Sequence, residues 1–378
     1  MKKPFVKGGK ALTLAAALLC GAAFLGSFTA LAAQAESQTG AQAEAQVFTP
    51  GVAGQITSCK ISGDKQNVEI GFSSSGDVTG TDGNIYVFEM QPYEEELGSR
   101  SNFIASSPAL SAASVSVPLN LGTPQDKLYS RFVLAVFDGT KFIKVSQPHY
   151  ITNPELIAKN QTPFNDPLTK KGLVIEIDML SDAFDLGVKH VTTNIAFSQI
   201  MGTGIDYQYD GKTYHFNKGV VDAYDKTISA LSNKGMTVTV ILLNDWNPNT
   251  PDLVYPGTQK NSNAFYYMFN AETEAGFDQT KAIASFLAQH YSGDNPNYGK
   301  VSNWIIGNEI NNQQWNYMGP MDLTNYVKAY QKAFRVIYTA IKSTNANDRV
   351  YFSLDYNWMN EIDGKLKYGG KEIVDSFN

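Results

Sequence analysis

Cysteine is nearly absent: the 378 residues contain two, Cys20 and Cys59. Cys20 lies in an N-terminal leader, so processing leaves one thiol and no intrachain disulfide. Stability must then come from packing. Histidine is scarce as well, and His149, His190, His215 and His290 lack metal-ligand spacing, which argues against a zinc hydrolase. There is no Gly-x-Ser-x-Gly elbow and no phosphate-cradling glycine-rich loop. Residues 77–84 do not fit a calcium-loop spacing and read as a solvated turn. No metal or cofactor is expected. Charged residues make up only 17% of the chain, and basic runs are missing beyond the leader. Removing residues 1–35 takes four lysines and no carboxylates, so the formal charge moves from −6 to −10. Such a chain is a poor nucleic-acid binder.

Long apolar runs are missing after residue 31. The one before it reads as a secretory signal. Lys2, Lys3, Lys7 and Lys10 precede an apolar stretch over residues 11–31, with Ala-x-Ala sites ending at Ala32 and Ala35. An uncleaved anchor competes, but the two small-residue sites favour cleavage. Leu19 before Cys20 is too large for a lipoprotein signal. The expectation is a secreted or extracellular protein, with the cell surface as the other location, without a transmembrane segment after cleavage. Residues 36–46, rich in Ala, Gln and Glu, have little to bury and read as a disordered linker.

Residues 47–151 carry short alternating runs separated by Gly, Ser and Asp. Val68, Ile70 and Phe72 share one face, and residues 85–90 and 114–119 repeat the pattern. Residues 133–137, then Asp138-Gly139, then residues 140–145 predict a hairpin. With no helical stretch among them, these strands point to an immunoglobulin-like β-sandwich. Tyr86, Tyr93 or Phe103 there could stack on sugar, but a spacer module packed on the next domain is the better reading. Residues 152–167 hold three prolines and form the connection.

From residue 168 the pattern becomes strand, helix, strand. Strands are expected over residues 172–177, 190–197, 236–243, 301–309 and 350–354. Helical stripes fall over residues 181–186, 216–233, 277–290 and 323–341. The third strand is apolar or β-branched throughout, as one covered on both faces would be. His190 begins a strand, the wrong end for chemistry, and reads as structural. Five parallel strands alternating with helices make a barrel or sheet whose carboxyl ends carry chemistry. The fourth strand, Val301-Ser302-Asn303-Trp304-Ile305-Ile306-Gly307-Asn308-Glu309, ends on an amide and a carboxylate at that position.

This strand resembles the fourth strand of the retaining (β/α)8 glycoside hydrolase clan. The sandwich-then-barrel order and the Trp-Ile-Ile-Gly-Asn-Glu-Ile-Asn run also resemble bacterial secreted proteins with an uncharacterised glycosidase-like domain. The resemblance implies a TIM barrel over residues 168–378, C-terminally truncated after about five strands. It implies Glu309 as general acid/base and Asn308 as hydrogen-bonding partner of the sugar. The clan's nucleophile ends the seventh strand, which would lie beyond residue 378.

Aromatic and amide residues near other strand ends are candidate sugar contacts. They are Asn244 and Trp246 after the third strand, Trp315 in the amide-rich loop after Glu309, and Tyr356 and Trp358 after the fifth. The long loop over residues 250–269, with Tyr255, Tyr266 and Tyr267, is placed to wall a cleft. Two readings stand: a secreted retaining glycosidase acting on an oligo- or polysaccharide, or a non-catalytic glycan-binding or surface protein that keeps the barrel.

Overall fold

The computed structural model describes residues 54–74, 80–360 and 364–377. The leader, Cys20 and the linker lie outside these. The described residues belong to one unit, Thr49–Asn378.

The first eight strands are β1 (Gly54–Ile61), β2 (Asn67–Ser74), β3 (Asn84–Met90), β4 (Ala105–Pro108), β5 (Ala113–Pro118), β6 (Arg131–Phe137), β7 (Phe142–Lys144) and β8 (His149–Tyr150). They form two antiparallel sheets, ordered β1-β2-β5 and β4-β3-β6-β7, with β8 paired to β6. Alternation puts Val68, Ile70 and Phe72 of one sheet and Ile85, Val87, Phe132 and Leu134 of the other into one shared core. Cys59 is buried in it, and burial pushes its thiol up to about 12. The β6–β7 hairpin forms one residue later than expected. Asp138 N–H donates to Lys141 O at 3.0 Å, so Gly139-Thr140 makes the turn. The Asp138 carboxylate accepts from the N–H groups of Thr140 and Lys141 and clamps it.

The second half runs β9 (Gly172–Val174), α1 (Leu180–Asp185), β10 (His190–Ala196), α2 (Phe197–Ile200), β11 (Gly204–Tyr209), β12 (Lys212–Asn217), α3 (Lys218–Ser232) and β13 (Thr237–Leu243). It continues through α4 (Glu274–His290), β14 (Asn303–Ile306), α5 (Leu323–Thr344), β15 (Arg349–Tyr351) and α6 (Gly370–Ser376). Five strands form a parallel sheet in chain order, β9-β10-β13-β14-β15. Side-chain hydrogen bonds start the three long helices: Asn217, Thr273 and Asp322 each accept a backbone N–H three residues on.

These helices cover one face of the parallel sheet. Val191, Ile195, Val238, Val240, Leu242, Trp304 and Ile306 point to it and pack with α3, α4 and α5. The other face is different. Register aligns Thr192, Thr239 and Asn303 in one row and Asn194, Ile241, Ile305 and Tyr351 in the next, and none of them is buried. The expectation that β13 is covered on both faces is therefore corrected: its second row is half-exposed. The outer strands β9 and β15 are three residues each, shorter than the sequence suggests, because each pairs along one side only. Residues 204–217, partly expected to be helical, are a β-hairpin closed by Asp210-Gly211, both with positive φ.

The two halves meet along α5. Glu95 accepts from Lys328 at 2.6 Å and from the buried Lys332. Burial opposes the Glu95 charge, but these ammonium groups outweigh it and hold the carboxyl at about 2.

Candidate functional site

At the end of β14 the chain leaves the sheet abruptly. Gly307 (φ +74°) donates the last rung, to Leu242 O at 2.9 Å, and Glu309 follows with φ +44°. A left-handed non-glycine residue is sparsely populated and needs its surroundings to hold it. Ser353, just past β15, supplies the hold. Its Oγ accepts the Glu309 N–H at 2.9 Å and donates to Asn308 Oδ1 at 3.3 Å, and its carbonyl accepts the Ile310 N–H at 2.9 Å.

Ser198, Asp245, Glu309 and Asp355 each follow the carboxyl end of a neighbouring parallel strand, β10, β13, β14 and β15 in turn. Asp245 N–H donates to Ser198 Oγ at 3.3 Å. Burial, then the Asp355 carboxylate, pushes Glu309 above its ordinary value, and the Lys367 ammonium works against them. Asp355 goes the other way. Burial alone would raise it, but Lys367 at 2.8 Å, Asn311 at 2.6 Å and Asn357 hold it at about 2. Asp245 is raised by burial, against a 2.6 Å hydrogen bond from Gln199. The strand ends thus hold a carboxyl raised above its ordinary value within range of a locked anion, a split of the kind acid–base chemistry uses. Among the described residues no group of three His, Cys, Asp or Glu is arranged to hold a metal ion.

The loops after β13 and β14 are joined to each other. Phe265 N–H donates to Gln314 O at 2.7 Å, Tyr317 N–H to Tyr266 O at 2.9 Å and Met268 N–H to Tyr317 O at 2.9 Å. Trp315 is half-buried, with its ring 4.7 Å from Phe265 and stacked at 6.2 Å on Tyr266. Trp246, also half-buried, lies 5.4 Å from Tyr267. Tyr356 is 90% exposed and lies under Lys367, whose Nζ is 5.5 Å from the ring centre. Trp358 packs on Gly370 at the start of α6, where a Cβ would come within 3.0 Å of the indole. Asn244 is fully buried, and its Nδ2 donates to Leu253 O at 2.8 Å. It anchors the loop rather than facing a cleft.

Sequence reasoning passed over Asp245, Ser353, Asp355, Lys367 and Gln199. A signal existed for Asp355, which follows its strand as Glu309 follows β14. For Lys367 there was none, because it returns to the site from a distant loop.

Fold and site define a mixed α/β protein with carboxylates at the carboxyl ends of a parallel sheet. The chain belongs to a family of unknown function (DUF5722), whose model matches residues 163–378. No curated protein matches it. Among solved structures it is similar to a family 39 glycoside hydrolase from Bacteroides cellulosilyticus WH2, at 16% identity and TM-score 0.30, over 78% of this chain and 51% of that one. It is similar to a family 1 β-glucosidase from Thermotoga maritima, at 17% identity and TM-score 0.31, over 53% and 40% of the two chains. The catalytic module of the pneumococcal glycogen-degrading factor SpuA matches at 10% identity and TM-score 0.28, over 82% and 52%. The chain spans about half the length of the first of these.

Proposed function

We propose that the protein is a secreted retaining glycoside hydrolase with Glu309 as its general acid/base. The observation that carries this reading is the raised carboxyl of Glu309, held at a strand end by Ser353 with Asn308 beside it. In the first step the Glu309 proton passes to the glycosidic oxygen as the C–O bond breaks and a second carboxylate bonds to the sugar carbon. In the second step Glu309, now ionised, takes a proton from the water that cleaves the glycosyl–enzyme bond. Asn308 would hydrogen-bond the sugar 2-hydroxyl, and Trp246, Trp315 and Tyr356 would meet its C–H faces.

We read the five parallel strands as the leading part of a (β/α)8 barrel and residues 47–151 as a β-sandwich spacer. Two observations support the barrel: strands in chain order, and an uncovered inner face bearing Ile241, Ile305 and Tyr351. The nucleophile in this reading belongs to strands that complete the sheet, since Asp355 is committed to Lys367, Asn311 and Asn357. The Lys-rich apolar leader supports export. The test is hydrolysis of a panel of aryl glycosides and polysaccharides by the intact protein and by Glu309→Ala. Loss of several orders of magnitude supports the acid/base role. Saccharide binding without turnover in the wild type would favour the non-catalytic reading instead.

A further inference from the structure

Away from the strand ends, a cavity of about 640 Å³ lies between the β5–β6 loop and the outer face of α4. Its floor is one helical stripe, Phe277, Lys281, Ser285 and Gln289, each four residues after the last. The stripe offers in turn a ring, an ammonium, a hydroxyl and an amide along roughly 18 Å of helix. Asp126 and Tyr129 of the β5–β6 loop form the facing wall. The volume falls within the range of ordinary ligand sites.

The electrostatics disfavour a charged ligand. The Lys281 ammonium is buried, bonded to Asp210 and 3.6 Å from Asp278. It lies 4.6 Å from the ring centre of Phe277 and 5.5 Å from that of Tyr129. A ligand cation would meet this ammonium already seated among the rings, and a ligand anion would meet Asp126, Asp210 and Asp294, set against the exposed Lys159. The wall is rich in groups for neutral hydrogen bonding. Tyr129 Oη and Ser285 Oγ are 3.4 Å apart, and Tyr209 donates to Tyr129 at 3.3 Å. A hydroxyl donates one hydrogen bond and accepts two, so these contacts do not exhaust their capacity. The Asp126 carboxylate accepts the N–H groups of Gly122 and Leu128, each at 2.8 Å, and has further lone pairs. Phe277 and Leu121 add apolar surface.

We propose that this trough is a second binding site, for a short neutral saccharide, distinct from the strand-end site. A neutral polyhydroxyl molecule with an apolar face matches hydroxyl, amide and carboxylate partners set beside a ring. The inference uses only these residues and does not depend on turnover at Glu309.

The experiment titrates the intact protein with glucose, galactose, mannose, xylose, cellobiose and maltose, read by saturation-transfer NMR and calorimetry. Gln289→Trp plugs the trough from an exposed position, Ser285→Ala removes one hydroxyl, and Leu168→Ala changes a fully exposed side chain outside both sites. The expected result is that one or more sugars bind wild type and Leu168→Ala alike, and bind Gln289→Trp and Ser285→Ala about ten-fold more weakly with unchanged melting. If Gln289→Trp melts early, Ser285→Ala decides. Unchanged affinity in the trough variants, equal loss in Leu168→Ala, or no binding of any sugar would each overturn the proposal. Glycosidase activity of the same preparations is scored separately, so failure at one site is not mistaken for failure at the other.

Discussion

The backbone N–H of Glu309 donates to the hydroxyl of Ser353 at 2.9 Å. That bond joins the ends of β14 and β15 and holds Glu309 at φ +44°, where a side chain is disfavoured. That conformation carries a testable cost.

Glycine at position 309 should relieve that cost while removing the same functional group as alanine does. Glu309→Gly is expected to be more stable than Glu309→Ala by about 1 kcal/mol, the reverse of the order in ordinary extended or helical backbone. Chemical denaturation of the two variants measures the difference. Greater stability of the alanine variant would mean that position 309 is not held left-handed.

The titration of Glu309 should move in opposite directions when its two charged neighbours are removed. Asp355 raises it, so Asp355→Asn should lower its pKa. Lys367 lowers it, so Lys367→Met should raise it. Carboxyl carbon NMR, with Glu309→Gln to assign the signal, reads both. Shifts of the same sign would contradict the arrangement.

Asp355 should also mark acid stability. Its folded value is depressed from 3.8 to about 2, so its contribution is complete above the ordinary value and lost as pH falls toward the folded one. The gap in Tm between wild type and Asp355→Asn should be widest above about pH 4 and shrink toward pH 2. A gap that grows on acidification would give the wrong sign.

Trp315 and Trp246 are half-buried against aromatic neighbours, which allows both packing and sugar contact. Replacing either with alanine should weaken oligosaccharide binding by about 1–3 kcal/mol with little change in melting. A sharp fall in Tm with binding unchanged in the folded fraction would assign them to packing alone.

Much of this architecture was legible in the residues. Alternation at Val68, Ile70 and Phe72 marked β2, and the apolar runs ending at Leu243 and Ile306 marked central strands. Asn308-Glu309 stood out because an apolar strand ended there. Periodicity could not give the length of β9 and β15, which depends on how many neighbours a strand has. Nor could it foresee the burial of Asn244, because an Asn after a strand reads as exposed until its amide is seen on Leu253. The β11–β12 hairpin went unassigned over residues 204–215, and its last two residues were absorbed into the helical stripe over residues 216–233.

The most direct test of the central claim is rescue of Glu309→Ala by azide in the intact protein. With an activated aryl glycoside the leaving group needs no acid, so the first step survives and the second stalls for want of a base. Added azide needs no base and should restore turnover, releasing a glycosyl azide of retained configuration. Rescue confined to activated substrates is the predicted result. Wild-type activity in Glu309→Ala, or an inactive variant that azide leaves unchanged on every substrate the wild type cleaves, would contradict the assignment of Glu309 as the acid/base.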